Sequence, residues 1–258
     1  MIQATDLSFG YGKRMVLNQL SFQVKAGTLV SVLGPNGVGK STLFKCLLGL
    51  NHDYSGMVKI NGKNVKTMST KEMAKLLAYI PQSHQTTFSY SVLDMVMMGT
   101  THQLNAFSIP GKAEKQQAWD ALEILDLTDL ADRPFTYLSG GEQQLVLIAR
   151  ALAQQAKILL MDEPTSSLDF GNQFRVLETV RQLTKHGYTV LLSCHNPQHA
   201  FQFSDQVMAL KNGTVEAFGP PETVITKDLI ENLYQMKVRV LDVSGEKIIL
   251  PELRGCAG

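Results

Sequence analysis

One stretch limits the possible folds of this chain more than any other. Gly34-Pro35-Asn36-Gly37-Val38-Gly39-Lys40-Ser41-Thr42 has the spacing G-x-x-x-x-G-K-[ST] of a phosphate-cradling loop. Residues 28–33 (TLVSVL) precede it, a short apolar, β-branched run that reads as a buried strand. Residues 41–50 (STLFKCLLGL) follow it and read as an apolar-rich helix. Strand, loop and helix in that order predict a nucleotide site. Gly34, Gly37 and Gly39 let backbone N–H groups face phosphate oxygens without a Cβ in the way. The helix start adds a partial positive charge and free donors. Lys40 supplies a full charge for the β- and γ-phosphates, and the Ser41 hydroxyl is placed to ligate Mg²⁺.

The 258 residues suit one large α/β domain, or one with an inserted subdomain, and 44% hydrophobic residues can fill its core. A net charge of +1 leaves no basic footprint for nucleic acid. Cys46, Cys194 and Cys256 are far apart and lack metal-ligand spacing. They fit a reducing cytoplasm, with Cys46 and Cys194 as small buried hydrophobes. Residues 1–4 lack the basic start of a targeting signal. No apolar run approaches the roughly 18 residues of a membrane span, so a soluble protein is expected.

Residues 2–31 read as an antiparallel opening, with alternation over 15–24 and Tyr11-Gly12 in a turn. Tyr11 could stack on a base or simply sit at a sheet edge. Residues 56–62 form a strand ending in an Asn-Gly turn, 69–76 a short capped helix, and 77–80 a strand stopped by Pro81, with Gln82 next. From 83 to 155 the pattern is helical, over 92–99, 112–125 and 142–155. The core resumes with a strand at 158–162, a helix at 170–185 and a strand at 188–193. Buried strands alternating with helices imply a parallel sheet covered on both faces. A hairpin over 207–218 turns at Asn212-Gly213, and a helix and a β tail over 238–250 follow.

Two further constellations carry chemistry. Leu138-Ser139-Gly140-Gly141-Glu142 opens a helix, with Ser139 and Glu142 spaced as a capping box. The same serine and glycines would also make an anion site, and a second such site suggests service to another subunit's nucleotide. Asp162-Glu163 ends an apolar strand. Asp162 could hold Mg²⁺ there, and Glu163 could polarise the attacking water. His195 follows the strand ending at Ser193-Cys194, where its imidazole could reach a γ-phosphate or be merely structural.

These motifs, in this order, resemble those of the ATP-binding-cassette (ABC) ATPases: GPNGVGKST (34–42), Gln82, LSGGE (138–142), ILLMDEP (158–164), SSLD (166–169) and His195. The resemblance implies a P-loop NTPase with a mainly parallel sheet, an N-terminal antiparallel layer and an inserted helical subdomain. It implies a core of 1–82 and 156–235, a helical signature subdomain of 83–155 and a small β tail of 236–258. By the same resemblance Tyr11 stacks on adenine, and Gln82 senses Mg²⁺ and water while linking to a membrane partner. Ser139, Gly140, Gly141 and Glu142 close over the ATP of an opposite protomer, Asp169 lies at the dimer seam, and His195 contacts the γ-phosphate.

Residues 90–99 (YSVLDMVMMG) and 195–200 (HNPQHA) look like the importer ATPases for iron-siderophore, haem, cobalamin and molybdate complexes. The cofactors implied are ATP and Mg²⁺. The partners implied are a second copy of the chain, two permease subunits and, indirectly, a substrate-binding protein, at the inner face of the cell membrane. A soluble ATPase of iron–sulfur assembly, translation or repair, or an exporter subunit, is the alternative. Two positions depart from the family pattern. Gln143 and Leu145 stand where many members carry basic residues, and Asn196 stands where many carry Asp. The aromatic- and methionine-rich 86–99, including Phe88 and Tyr90, is expected to line a cleft for a permease helix.

Overall fold

The computed structural model describes residues 1–82, 90–104, 109–243 and 246–252. Its order is β1 (Ile2–Tyr11), β2 (Arg14–Val24), β3 (Leu29–Leu33), α1 (Lys40–Leu47), β4 (Ser55–Ile60), β5 (Lys63–Asn64), α2 (Thr70–Leu76), β6 (Leu77–Ile80), α3 (Val92–Met97), α4 (Lys112–Ile124) and α5 (Gly140–Ala153). It continues with β7 (Ile158–Met161), α6 (Phe170–Lys185), β8 (Thr189–Cys194), α7 (Pro197–Phe203), β9 (Gln206–Lys211), β10 (Thr214–Gly219), α8 (Pro221–Val224), α9 (Lys227–Tyr234), β11 (Val238–Val243) and β12 (Glu246–Pro251).

Alternation in the first strands builds an antiparallel sheet of order β2-β1-β4-β5. In β1 the buried positions are Ile2, Ala4, Leu7 and Phe9, so the phase slips by one residue midway. The slip coincides with a register shift against β2 and with Asp6 at φ 49°, as a bulge requires. The β1–β2 hairpin of this layer ends at Val24. Residues 29–31, expected in that opening as well as in the strand before the phosphate loop, belong to β3 and a different sheet.

That second sheet has the order β10-β9-β3-β8-β7-β6. All its pairings are parallel except the β10–β9 hairpin. Every residue of β3, β7 and β8 is buried, and successive side chains serve opposite faces. Val30, Val32, Ile158, Leu160 and Leu191 point into a core shared with α1 and the antiparallel sheet. Leu29, Leu159, Met161, Val190 and Leu192 point into a core shared with α3, α4, α5 and α6. A third cluster joins Leu33, Val207 and Ala209 to α7, α8 and α9.

Helix α5 is the pivot between sheet and helices. Its buried residues run from Gly141 and Gln144 to Ala153, all but Gly140, Glu142, Gln143 and Arg150. It packs on α3 and α4 to one side and on β6 and α6 to the other. The helix expected over 92–99 is instead α3 followed by 3₁₀ turns over Met98–Gln103. The helix expected to reach residue 50 stops at Leu47, where Gly49 turns the chain at φ +67°. No helix among the described residues is long and apolar enough to cross a membrane.

Gly99 is where the 3₁₀ segment meets α5. A Cβ there would stand 2.0 Å from the Arg150 carbonyl oxygen. Gly99→Ala should therefore force two backbones apart and lower stability by about 1–3 kcal/mol; urea denaturation would measure it, and a wild-type midpoint would contradict that close approach.

Candidate nucleotide and catalytic site

Parallel register brings the functional loops to one edge of the sheet. Leu33 pairs with Cys194, Met161 with Leu192 and Ile80 with Met161. The chain therefore leaves β3 at Gly34, β7 at Asp162, β8 at His195 and β6 at Pro81, one residue before Gln82, on the same side. This is the carboxyl edge, where ligands of such sheets sit.

Gly39 caps α1 at φ 112°, a conformation closed to other residues here because a Cβ would also lie 2.9 Å from Leu17. Lys40 then starts the helix with its side chain 5% exposed. That ammonium donates to the Gly34 carbonyl at 2.7 Å and the Pro35 carbonyl at 3.3 Å, and pairs with Glu163 Oε1 at 3.4 Å. Two of its hydrogens thus go to protein carbonyls, and its charge is balanced by the Glu163 carboxylate. Beside it lies a cleft of about 480 Å³ lined by Tyr11, Arg14, Val16, Asn36, Gly37, Gly39, Lys40, Ser41, Thr42, Gln82 and Glu163. Val38 turns inward to the core.

Glu163 is the hub of the site. Its backbone is left-handed at φ 46°, which costs a non-glycine residue roughly 1–2 kcal/mol. The surroundings hold it there. Its N–H donates to Ser193 Oγ at 2.7 Å, and that hydroxyl donates to Asp162 Oδ1 at 2.7 Å. Its carbonyl accepts from Ser166 Oγ at 3.1 Å. Its carboxylate pairs with Lys40 on one oxygen, while the other accepts from Gln82 Nε2 at 3.2 Å and lies 3.7 Å from His195 Nδ1. Gln82, Glu163 and His195, read from separate motifs, therefore meet around one carboxylate. Asp162 lies behind them, bonded to Ser193 and, at 3.4 Å, to the Tyr79 hydroxyl. Burial, then the Asp162 charge, pushes the Tyr79 phenol up to about 12, which keeps it a donor.

Tyr11 stands half-exposed at the cleft rim, edge-on to Phe9 at 5.0 Å between centroids, and its hydroxyl accepts from Asn51 at 3.4 Å. His195 is half-exposed and is followed by Asn196, whose Oδ1 accepts from the N–H groups of Gln198 and His199 to cap α7. Asn caps as well as Asp, so the departure from the family pattern at Asn196 leaves this junction intact. Gln143, the other departure, donates to the Phe135 and Leu138 carbonyls and ties α5 to the loop before it. Tyr90 is exposed at the border and its carbonyl accepts from Phe135. Phe88 and the rest of 83–89 lie outside the described residues, as does Cys256.

The signature residues are elsewhere. Ser139, Gly140, Gly141 and Glu142 do not line the cleft. Ser139 caps α5 in a full capping box: its N–H and hydroxyl donate to Glu142 Oε2 at 2.8 and 2.7 Å, and Glu142 N–H donates back at 3.3 Å. Those two bonds from Ser139 hold the Glu142 carboxyl below its ordinary range. Gly141 is packed against Asn172, whose side chain a Cβ would strike at 2.4 Å. Asn172 is in turn fixed by Asp169, which caps α6 and accepts from both Asn172 N–H and Nδ2. Asp169 and Gly141 are thus mechanically joined through one asparagine.

The chain's oxygen donors suit a hard cation. The Ser41 hydroxyl lines the cleft and the Asp162 carboxylate lies behind Glu163, oxygen donors of the kind Mg²⁺ takes one or two at a time beside phosphate and water. Among the described residues no group of three His, Cys, Asp or Glu side chains could hold a metal alone. Sequence reasoning missed Ser193, Ser166, Arg14 and Val16. Ser193 closes a run of buried apolar residues and looks like its end, and only the β7–β8 pairing reveals its partners.

A profile of the ABC transporter family matches residues 17–166. The chain is 38% identical over 240 residues to a hemin import ATP-binding protein of Nocardia farcinica, covering 92% of this chain and 83% of that one. It is 34% identical over 241 residues to the iron(3+)-hydroxamate import ATP-binding protein of Bacillus subtilis, covering 93% and 90%. It superposes with a TM-score of 0.87 and 32% identity on an inward-facing structure provisionally assigned to the metal-chelate type of ABC transporter, covering 98% and 97%. The fold and the phosphate loop at its carboxyl edge define a P-loop ATPase. The chain belongs to the ABC transporter family, as an ATP-binding, ATP-hydrolysing subunit.

Ser193→Ala should leave the Glu163 N–H buried without an acceptor, destabilising the protein by about 1–3 kcal/mol. Hydrolysis should fall at temperatures where the variant is still folded. Wild-type turnover in that variant would show that Glu163 holds its conformation without Ser193.

Proposed function

We propose that this chain is the ATPase subunit of an ABC importer for a metal chelate, acting as a homodimer beneath two permease subunits on the inner face of the cell membrane. The observation that carries the dimer is the separation of Ser139–Glu142 from the cleft that Lys40 and Glu163 line. One chain offers a phosphate loop with no signature opposite it, so each ATP would lie between the loop of one protomer and the signature of the other. The importer class rests on the hemin and iron-hydroxamate relatives and the metal-chelate transporter. A substrate-binding protein would deliver the chelate on the far side.

In this reading Tyr11 stacks on adenine and the 34–42 loop wraps the phosphates. Phosphate oxygens draw the Lys40 ammonium away from its present partners, since a polyphosphate outcompetes a carbonyl for a cation. Ser41, Gln82 and Asp162, Asp162 through water, would hold Mg²⁺, which supplies charge neutralisation on the phosphates when bound. Glu163 takes the proton of the attacking water. His195 and Ser139 contact the γ-phosphate, and Asp169 lies at the seam. Closure on ATP and opening after hydrolysis would then turn the permease, with Gln82 reporting between them.

Glu163→Gln tests the whole scheme, because the amide keeps the shape but cannot accept the proton. Binding of ATP should persist, hydrolysis should slow by roughly 10²–10⁴-fold, and an ATP-bound dimer should accumulate in size-exclusion chromatography. A variant that stays monomeric with ATP counts against the split site.

Ser139→Asp separates the cap from the phosphate contact. Asp still accepts from the Glu142 N–H as a cap, but it loses the donation to the Glu142 carboxylate and faces that charge. Stability should therefore fall by about 1–2 kcal/mol, while the added charge repels phosphate and dimer-dependent hydrolysis disappears in protein that is still folded. Retained hydrolysis would reduce Ser139 to a capping residue.

A further inference from the structure

The polypeptide after β10 grips the loop that carries His195 at two points. The Tyr234 hydroxyl, on the last residue of α9, donates to the His195 carbonyl at 2.8 Å. Gln198, in the first turn of α7, donates from Nε2 to the Lys247 carbonyl at 2.8 Å and accepts from the Ile249 N–H at 3.2 Å through Oε1. Its side-chain amide thereby extends the free edge of β12 like a backbone unit. Between these two anchors lie His195, Asn196 and Pro197, with Asn196 capping α7 and Pro197 fixing φ at its first position. Gln235 turns left-handed at φ 53° directly after Tyr234 and ends α9 there. The Val238 N–H then donates to Glu231 Oε1 at 3.0 Å, pinning the tail to α9. Burial raises the Tyr234 phenol, which keeps its proton for donation.

We propose that Tyr234 and Gln198 are positioning residues for His195, and that α9 with the β11–β12 hairpin is a brace setting the distance between the imidazole and the Glu163 carboxylate. Neither residue touches the cleft beside Lys40. The imidazole itself is half-exposed and reaches the site through Glu163 at 3.7 Å, too long for a hydrogen bond, so its place depends on its backbone. A hydroxyl bond to that backbone orders it without entering the reaction. The inference rests on the reading of His195 as a γ-phosphate contact.

The test is a double-mutant cycle on the full-length protein with ATP and Mg²⁺. Tyr234→Phe removes only the hydroxyl. It should lower kcat about 3–10-fold, the range of one lost hydrogen bond, with KM for ATP and the thermal midpoint nearly unchanged. Gln198→Ala should behave in the same way and serves as the second variant if Tyr234→Phe folds poorly. His195→Ala should be slower than either, and combining it with Tyr234→Phe should slow it no further, because the brace acts through the imidazole. Multiplying effects in the double variant, or wild-type kcat in both Tyr234→Phe and Gln198→Ala, would overturn the brace while leaving the role of His195 standing. Wild-type turnover in His195→Ala would overturn that role and the brace with it.

Discussion

The parallel pairing of β3, β8 and β7 is the constraint from which the rest follows. Because these strands run side by side in one direction, they end at one level. Four loops that are distant in sequence leave the sheet together there. Full burial of the three strands makes that level hard to change, since a slip of one residue would turn every side chain to the opposite face. Two large cores, one on each face, hold the register. The site inherits its accuracy from that packing.

Within this frame the electrostatics balance around Glu163. A carboxylate that is only 12% exposed needs a counter-charge, and Lys40 supplies it. Its backbone is also strained, and Ser193 and Ser166 are what hold it. Strain concentrated at a residue surrounded by donors is a pattern of functional positions. The Ser193 hydroxyl serves two masters, accepting from Glu163 and donating to Asp162. The Asp162 carboxylate and the Glu163 backbone are therefore held by the same atom.

Much of this was legible in the sequence, and the limits have physical causes. Strand β6 and helix α6 lie where composition and caps place them, because Pro81, Asp169 and the apolar spacing are local signals. The loop, Gln82, Asp162-Glu163 and His195 are equally local. Ser193, Tyr234 and Gln198 are not, since what each does depends on a partner 30, 39 or about 50 residues away. A serine closing an apolar strand or a tyrosine ending a helix carries no periodicity of its own. Gly99 shows the same limit: its need for a small side chain comes from the Arg150 backbone, which no window around residue 99 contains. The slip within β1 was likewise hidden, because a bulge breaks the alternation by which strands are read.

A hydroxyl has one proton to give. At the start of α5 the Ser139 proton goes to the Glu142 carboxylate, and the lone pairs on the same oxygen accept from the Glu142 N–H. Any anion arriving at this helix start must therefore compete with a carboxylate already in place. Glu142 can yield the hydroxyl without being stranded, because it keeps the Ser139 N–H at 2.8 Å. The bond from the Glu142 N–H to the Ser139 oxygen does not depend on where the hydroxyl hydrogen points, so the cap at the start of α5 survives a change of acceptor.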